Sequence, residues 1–172
     1  METTLCRRSI LCNLLIKSNK KIFCFLLLIF LRPIETCKSH LINGVAALGF
    51  QYNNGSAWAM LCKSTPFGLI PGKIDGHRGA YYSWQGKEHS CHEYTPIYGT
   101  LYPVEPGCDD VFLPVDCHPR GLSNKDNQKL YNAIIPGKHG MLPGYATSDL
   151  ANAYYGFGWK QHCAEGLFYV IC

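Results

Sequence analysis

The first half of the sequence contains a set of polar side chains interspersed with aromatic ones. Lys73 follows a Pro-Gly pair, and Lys87 and Glu88 follow an aromatic segment. Sugar recognition combines a few fixed polar groups, which bond hydroxyls, with aromatic walls that cover the apolar side of the ring. The alternative is that the aromatics are core and the charges a solvated rim. The polar candidates are Lys73, Asn53, Asn54, Lys87 and Glu88, set among Trp58, Trp84 and Tyr82.

Catalysis and metal binding have weaker support. The chain has neither a Gly-x-Ser-x-Gly motif nor a His-Glu-x-x-His motif. Asp109 and Asp110 are adjacent, whereas a glycosidase needs two carboxyl groups facing one bond across a cleft. Structural zinc sites have closely paired ligands, and no Cys-x-x-Cys is present. We therefore predict no enzyme, cofactor or metal, with a hydrolase as a minor option. A metal site would have to draw on His89, Cys91 and His92, or on His162 and Cys163.

The first 39 residues have the features of a secretory signal peptide with a long basic n-region. Residues 22–31 form an unbroken apolar run of ten. That run is shorter than the ~20 residues of a transmembrane helix, and a short membrane anchor is the alternative. Residues 1–39 hold seven of the sixteen Lys and Arg but two of the twelve Asp and Glu, so the remainder has a formal charge of −1. Such a balance excludes the concentrated basic surface that binds nucleic acid or anionic membranes.

Six cysteines follow residue 39, and an even number in an exported chain indicates up to three disulfides. Their pairing stays open, because six cysteines allow fifteen arrangements. Leader and cysteines together predict a secreted, extracellular protein. Asn54, in Asn-Gly-Ser, is the single N-glycosylation acceptor of the chain. The disulfide candidates are Cys62, Cys91, Cys108, Cys117, Cys163 and Cys172.

An internal repeat is the strongest signal in the sequence. Residues 80–89 and 153–162 are identical at five of ten positions, with an offset of 73. Upstream, Ile70-Pro71-Gly72 matches Leu142-Pro143-Gly144 with an offset of 72. Two long copies favour one pseudo-symmetric domain over an open array of short repeats.

Local patterns predict strands throughout this repeated region. Tyr, Trp and Phe are abundant, and aromatic residues suit a pleated, half-buried surface. Gly and Pro interrupt the chain too often for a helical apolar period to persist. We expect a hairpin turn at residues 53–55, type II turns at Pro71-Gly72 and Pro143-Gly144, and a buried final strand over residues 167–171. The predicted class is all-β.

The ordered motifs resemble the DM-nine repeats of invertebrate proteins and natterin-like proteins. The resemblance covers about residues 43–172 and implies two tandem repeats, residues 43–109 and 110–172, interleaved into one compact pseudo-twofold β domain. The matching segments are residues 49–58, 69–73 and 84–89 in the first copy and residues 121, 127–131, 142–144 and 153–162 in the second.

Some members of that family are mannose-binding lectins of microbial recognition. In them, a Lys after Pro-Gly pairs with an acidic residue of the preceding glycine turn to hold sugar hydroxyls. Lys73 matches this lysine, and Tyr145 stands there in the second copy. We expect a lectin-like protein that binds glycans, with a homodimer left open, or alternatively a secreted structural or protein-interaction module. The turn candidates implied by the resemblance are Gln51, Asn53, Asn54 and Asp126.

Overall fold

The computed structural model of the protein describes residues 48–51, 55–76, 78–106, 111 and 113–172. These residues form antiparallel strands and contain no helix, which confirms the all-β class. Within the same ranges, nothing offers a helix of the length and apolarity needed to cross a bilayer. The predicted signal peptide lies outside them. The strands are β1 (Leu48–Gln51), β2 (Ser56–Cys62), β3 (Gly68–Asp75), β4 (Gly79–Trp84), β5 (Lys87–Cys91), β6 (Tyr94–Pro96), β7 (Leu101–Val104), β8 (Gly121–Ser123), β9 (Lys129–Gly137), β10 (Gly140–Thr147), β11 (Ala153–Phe157), β12 (Lys160–Cys163) and β13 (Phe168–Ile171).

Eight strands close into a barrel in the order β2-β1-β10-β11-β12-β5-β4-β3, and β3 returns to pair with β2. The junction between β12 and β5 rests on one register pair, Lys160 opposite Lys87. Outside the ring, β6 pairs with β2, and the strands β8, β9, β13 and β7 continue the sheet from β3. The β9 strand also pairs with β10 over its full length.

Each repeat contributes a strand to the other. The β1 strand pairs with β2 of its own repeat and, through Phe50 opposite Met141, with β10 of the second. The β8 strand pairs with β9 of its own repeat and, through Leu122 opposite Leu69, with β3 of the first. The repeats are therefore interleaved. The boundary between residues 109 and 110 falls outside the described residues and stays a prediction.

The interior is built from side chains of both halves. One cluster packs Ala57 of β2 with Leu142 of β10 and Phe168 of β13. A second packs Met60 of β2 with Tyr145 of β10. The predicted final strand is confirmed as β13, in which Phe168 is fully buried. Because the two repeats share these clusters, neither has a complete core of its own.

Disulfides reinforce the sheet, as expected from the cysteine count. One bond joins Cys62 of β2 to Cys91 of β5, and another joins Cys117 to the C-terminal Cys172. Cys163 is disulfide-bonded as well. A crosslink lowers the entropy of the unfolded chain and typically stabilises a protein by about 2–4 kcal/mol.

The expected type II turns at Pro71-Gly72 and Pro143-Gly144 are wrong. Both pairs lie inside strands, β3 and β10. Neither glycine has a positive φ. Each is instead needed for close strand approach: an added Cβ would overlap the Tyr81 carbonyl oxygen at Gly72 and the Tyr154 carbonyl oxygen at Gly144.

Gly72→Ala should destabilise the protein, because its methyl group would overlap the Tyr81 carbonyl and lie 2.8 Å from Met60 Cε. Overpacking costs about 1–3 kcal/mol, so we expect Tm in thermal unfolding to fall by roughly 5 °C or more. Gly166→Ala is the matched control and should keep the wild-type Tm, because a Cβ there meets nothing within 4 Å. Equal melting temperatures for the two variants would contradict the close approach.

Candidate functional site

An open pocket lies where β3, β4 and β5 of the first repeat meet the turn between β11 and β12 of the second. It encloses about 50 Å³. A cavity of about 10–15 Å³ is enough to hold one water molecule, so the pocket has room for a few hydroxyl groups of a ligand. The lining residues are Lys73, Asp75, Arg78, Tyr81, Glu88, Phe157, Gly158 and Trp159.

Lys73 supplies a buried cation. Strand β3 places it in the interior, where its side chain is 5% exposed. The Nζ atom lies 3.0 Å from Glu88 Oε1 and donates a 2.9 Å hydrogen bond to the carbonyl oxygen of Gly156. It also lies 5.6 Å from the centroid of the Phe157 ring, within the range of a cation–π contact. An ammonium has three donors, and the hydrogen bond to Gly156 uses one of them.

Glu88 supplies the buried anion, with a side chain 7% exposed. Its Oε2 accepts a 3.1 Å hydrogen bond from the backbone N–H of Trp159. Its Oε1 faces the Lys73 ammonium, is buried and accepts no hydrogen bond from the described residues, so this contact is Coulombic. Removing one member of a buried ion pair costs about 3–5 kcal/mol, because the other charge is left unpaired. Each residue therefore depends on the other.

The second repeat has an uncharged pair at the equivalent positions. Tyr145 matches Lys73 and Gln161 matches Glu88 in the repeat alignment. Gln161 Nε2 donates a 3.0 Å hydrogen bond to the Tyr145 hydroxyl, and its Oε1 accepts one of 2.8 Å from the backbone N–H of Gly86. Burial raises the pKa of Tyr145 far above that of an ordinary phenol, so its hydroxyl stays protonated. The structure therefore places an ion pair in one repeat and a neutral hydrogen bond in the other.

The recurrent histidines have equivalent structural roles. His89 Nε2 lies 3.3 Å from the carbonyl oxygen of Trp84, and His162 Nε2 lies 3.2 Å from that of Phe157. Each bond requires the proton on Nε2, so each ring donates to the main chain. These contacts give the two repeated histidines the same structural role.

A third imidazole, that of His139, lies behind the pocket wall. Its ring stacks on Phe157 with centroids 3.9 Å apart. Burial, with smaller contributions from His162, Lys138 and Lys73, lowers the pKa of His139. The ring is therefore mostly neutral at neutral pH and adds no charge to the pocket wall.

The other candidates from the sequence lie elsewhere. Trp84 and Tyr145 are buried in the core, with ring centroids 5.5 Å apart, and neither lines the pocket. Lys87 is exposed opposite Lys160. Asp126 lies in the exposed turn after β8, where the Ser123 hydroxyl is the main cause that lowers its pKa.

Three further candidates lie at the edge of the described chain. The backbone of Gln51 pairs with Gly140. Asn53 and Asn54, including the glycosylation acceptor, lie outside the described residues. The acidic side chain that the structure places beside Lys73 is that of Glu88, from β5.

Sequence reasoning missed most of the pocket wall. Tyr81 could have been found, because it is the cross-strand neighbour of Lys73. Trp159 had a weaker signal, as a tryptophan aligned with a glycine of the other repeat. Arg78, Asp75 and Phe157 gave no such signal.

The chain matches no protein-family model and no curated protein. The resemblance to DM-nine repeats therefore stays a prediction. Among the described residues, no group of three or more His, Cys, Asp or Glu side chains could hold a metal ion. Cys91 and Cys163 are both disulfide-bonded and provide no thiolate ligand.

Replacing the Lys73–Glu88 pair by its equivalent in the second repeat should reveal the energetic coupling between the two side chains. We expect Lys73→Tyr or Glu88→Gln alone to lower the free energy of unfolding by about 3–5 kcal/mol, because each leaves one buried charge unpaired. The double variant recreates the Tyr145–Gln161 pair and should lose less than the sum of the single variants, by about 1–3 kcal/mol. Urea unfolding of the four proteins measures this coupling. Strict additivity would contradict a shared, coupled site.

Proposed function

We propose that this protein is a secreted, lectin-like recognition protein that binds glycans, of mannose type on the family resemblance, at the pocket around Lys73 and Glu88. The single observation that carries the proposal is the buried Lys73–Glu88 pair, which lines an open pocket with aromatic walls. Fixed polar groups beside aromatic rings are what sugar recognition requires. Among the described residues the ammonium makes one hydrogen bond, to the Gly156 carbonyl oxygen, so Lys73 is the member of the pair with donor capacity for a ligand.

The charge of the pocket favours a neutral ligand. Lys73 and Arg78 contribute two formal positive charges, and Asp75 and Glu88 contribute two negative ones. A phosphate or a carboxylate would meet no net attraction here, whereas a hydroxyl both donates and accepts hydrogen bonds. The pocket is open and has room for a few hydroxyl groups, so the terminal sugar of a glycan is the expected ligand.

Binding fits these residues better than hydrolysis does. A general acid must release and recover a proton during the reaction. Glu88 is already held by the Lys73 ammonium and by the Trp159 N–H. Export of the protein is supported by its disulfides, which persist in oxidising compartments.

A protein-interaction module is the second candidate. Leu69 and Leu122 are direct cross-strand neighbours, and they are 38% and 39% exposed. Adjacent exposed leucines on a sheet form the apolar centre that protein interfaces use. This function predicts capture of a specific protein from secreted material together with a blank glycan array.

A glycan array probed with the purified protein tests the proposal. We expect binding to neutral hexose-terminated glycans, and a loss of at least about tenfold in the Lys73→Tyr/Glu88→Gln variant, since each 1.4 kcal/mol of lost contact is tenfold. Lys87→Ala, which removes an exposed lysine outside the pocket, should bind like wild type. A blank array, or equal binding by the double variant, would end the proposal.

A further inference from the structure

Trp159 occupies a backbone conformation that disfavours it. Its φ is +64°, and the preceding Gly158 has a φ of +60°. Two consecutive positive φ values define the tight hairpin turn that prefers glycine at the second position. In the equivalent turn of the first repeat, Gln85 and Gly86 have φ values of +50° and +83°, and the second position is glycine. A bulky residue there is a conformational outlier.

Burial of the Trp159 side chain in the core does not offset this backbone strain. Trp159 is 66% exposed, although an indole normally contributes to stability by burial. Its aromatic contact is an edge-to-face one with Tyr81, with centroids 5.9 Å apart and planes at 84°. Strained residues that persist without a packing role are concentrated at functional sites.

The surroundings fix Trp159 beside the pocket. Its backbone N–H is bound by Glu88 Oε2 at 3.1 Å, so the turn that carries it is tied to the ion pair. Tyr81 is itself held, because its hydroxyl donates a 2.6 Å hydrogen bond to the carbonyl oxygen of Arg78. An exposed, pre-positioned aromatic ring therefore stands next to the polar floor of the pocket.

We propose that Trp159 is a ligand-binding residue, the platform on which the apolar C–H face of a terminal hexopyranose packs while its hydroxyl edge meets Lys73 and Glu88. This inference rests on the proposed function and narrows the ligand class. It selects pyranoses that present an uninterrupted C–H face beside the bound hydroxyls. It also gives the strain a role, because the unfavourable backbone conformation of Trp159 keeps its ring exposed beside the pocket.

The test compares Trp159→Gly with wild type in melting temperature and on an array of neutral hexose-terminated glycans. Glycine matches the first repeat and relieves the positive φ, so Tm should stay the same or rise, whereas binding should fall at least about tenfold. Trp159→Phe should bind within a few-fold of wild type, because it keeps a ring. Trp58→Phe, an exposed tryptophan that does not line the pocket, should bind unchanged.

Each other outcome overturns the inference in a distinguishable way. If Trp159→Gly binds glycans as well as the wild-type protein does, the proposed sugar site would stand, but Trp159 would not be its platform. A Tm several degrees lower in Trp159→Gly would assign the indole a structural role instead. A wild-type protein that binds no glycan on the array would remove the proposed function and the platform together.

Discussion

At the junction between β5 and β12, the two halves of this protein exchange side-chain hydrogen bonds. Glu88 of the first repeat binds the turn N–H of Trp159 in the second, and Gln161 of the second binds the turn N–H of Gly86 in the first. The backbone junction between β5 and β12 has a single register pair. These two hydrogen bonds, together with the backbone hydrogen bond from the Gln161 N–H to the Gly86 carbonyl oxygen, hold the junction closed, and the candidate pocket lies beside it.

The exchange is symmetric in geometry but not in charge. The first repeat pairs Lys73 with Glu88, and the second pairs Tyr145 with Gln161 at the same depth. Burying an ion pair carries a desolvation penalty that a neutral hydrogen bond avoids, so a buried ion pair is weak support for a stabilising role. The Tyr145–Gln161 pair shows that an uncharged hydrogen bond can occupy this position in the fold. The charged pair beside the pocket is therefore the observation from which the ligand-binding proposal is argued.

Part of the fold and part of the candidate site could be predicted from the sequence. Strand content and duplication are local signals, carried by aromatic residues and by the order of motifs around Pro71 and Pro143. The closure of the barrel depends on pairings such as Phe50 with Met141, which no local pattern encodes. A glycine can be required either for a positive φ or for close approach of two strands. The sequence predicts the first for Gly72, and the structure shows the second. Lys73 and Glu88 were both predicted, but not that β3 and β5 bring them together.

Hydrogen exchange at the backbone amide of Trp159 tests the central interaction most directly. If Glu88 holds this turn, the amide is protected in the native protein and becomes unprotected in Glu88→Ala. The Gly86 amide, which Gln161 binds, should keep its protection in that variant and serves as the internal reference for folding. Fast exchange of the Trp159 amide in wild type, or protection unchanged by Glu88→Ala, would contradict the exchange of side chains between the repeats.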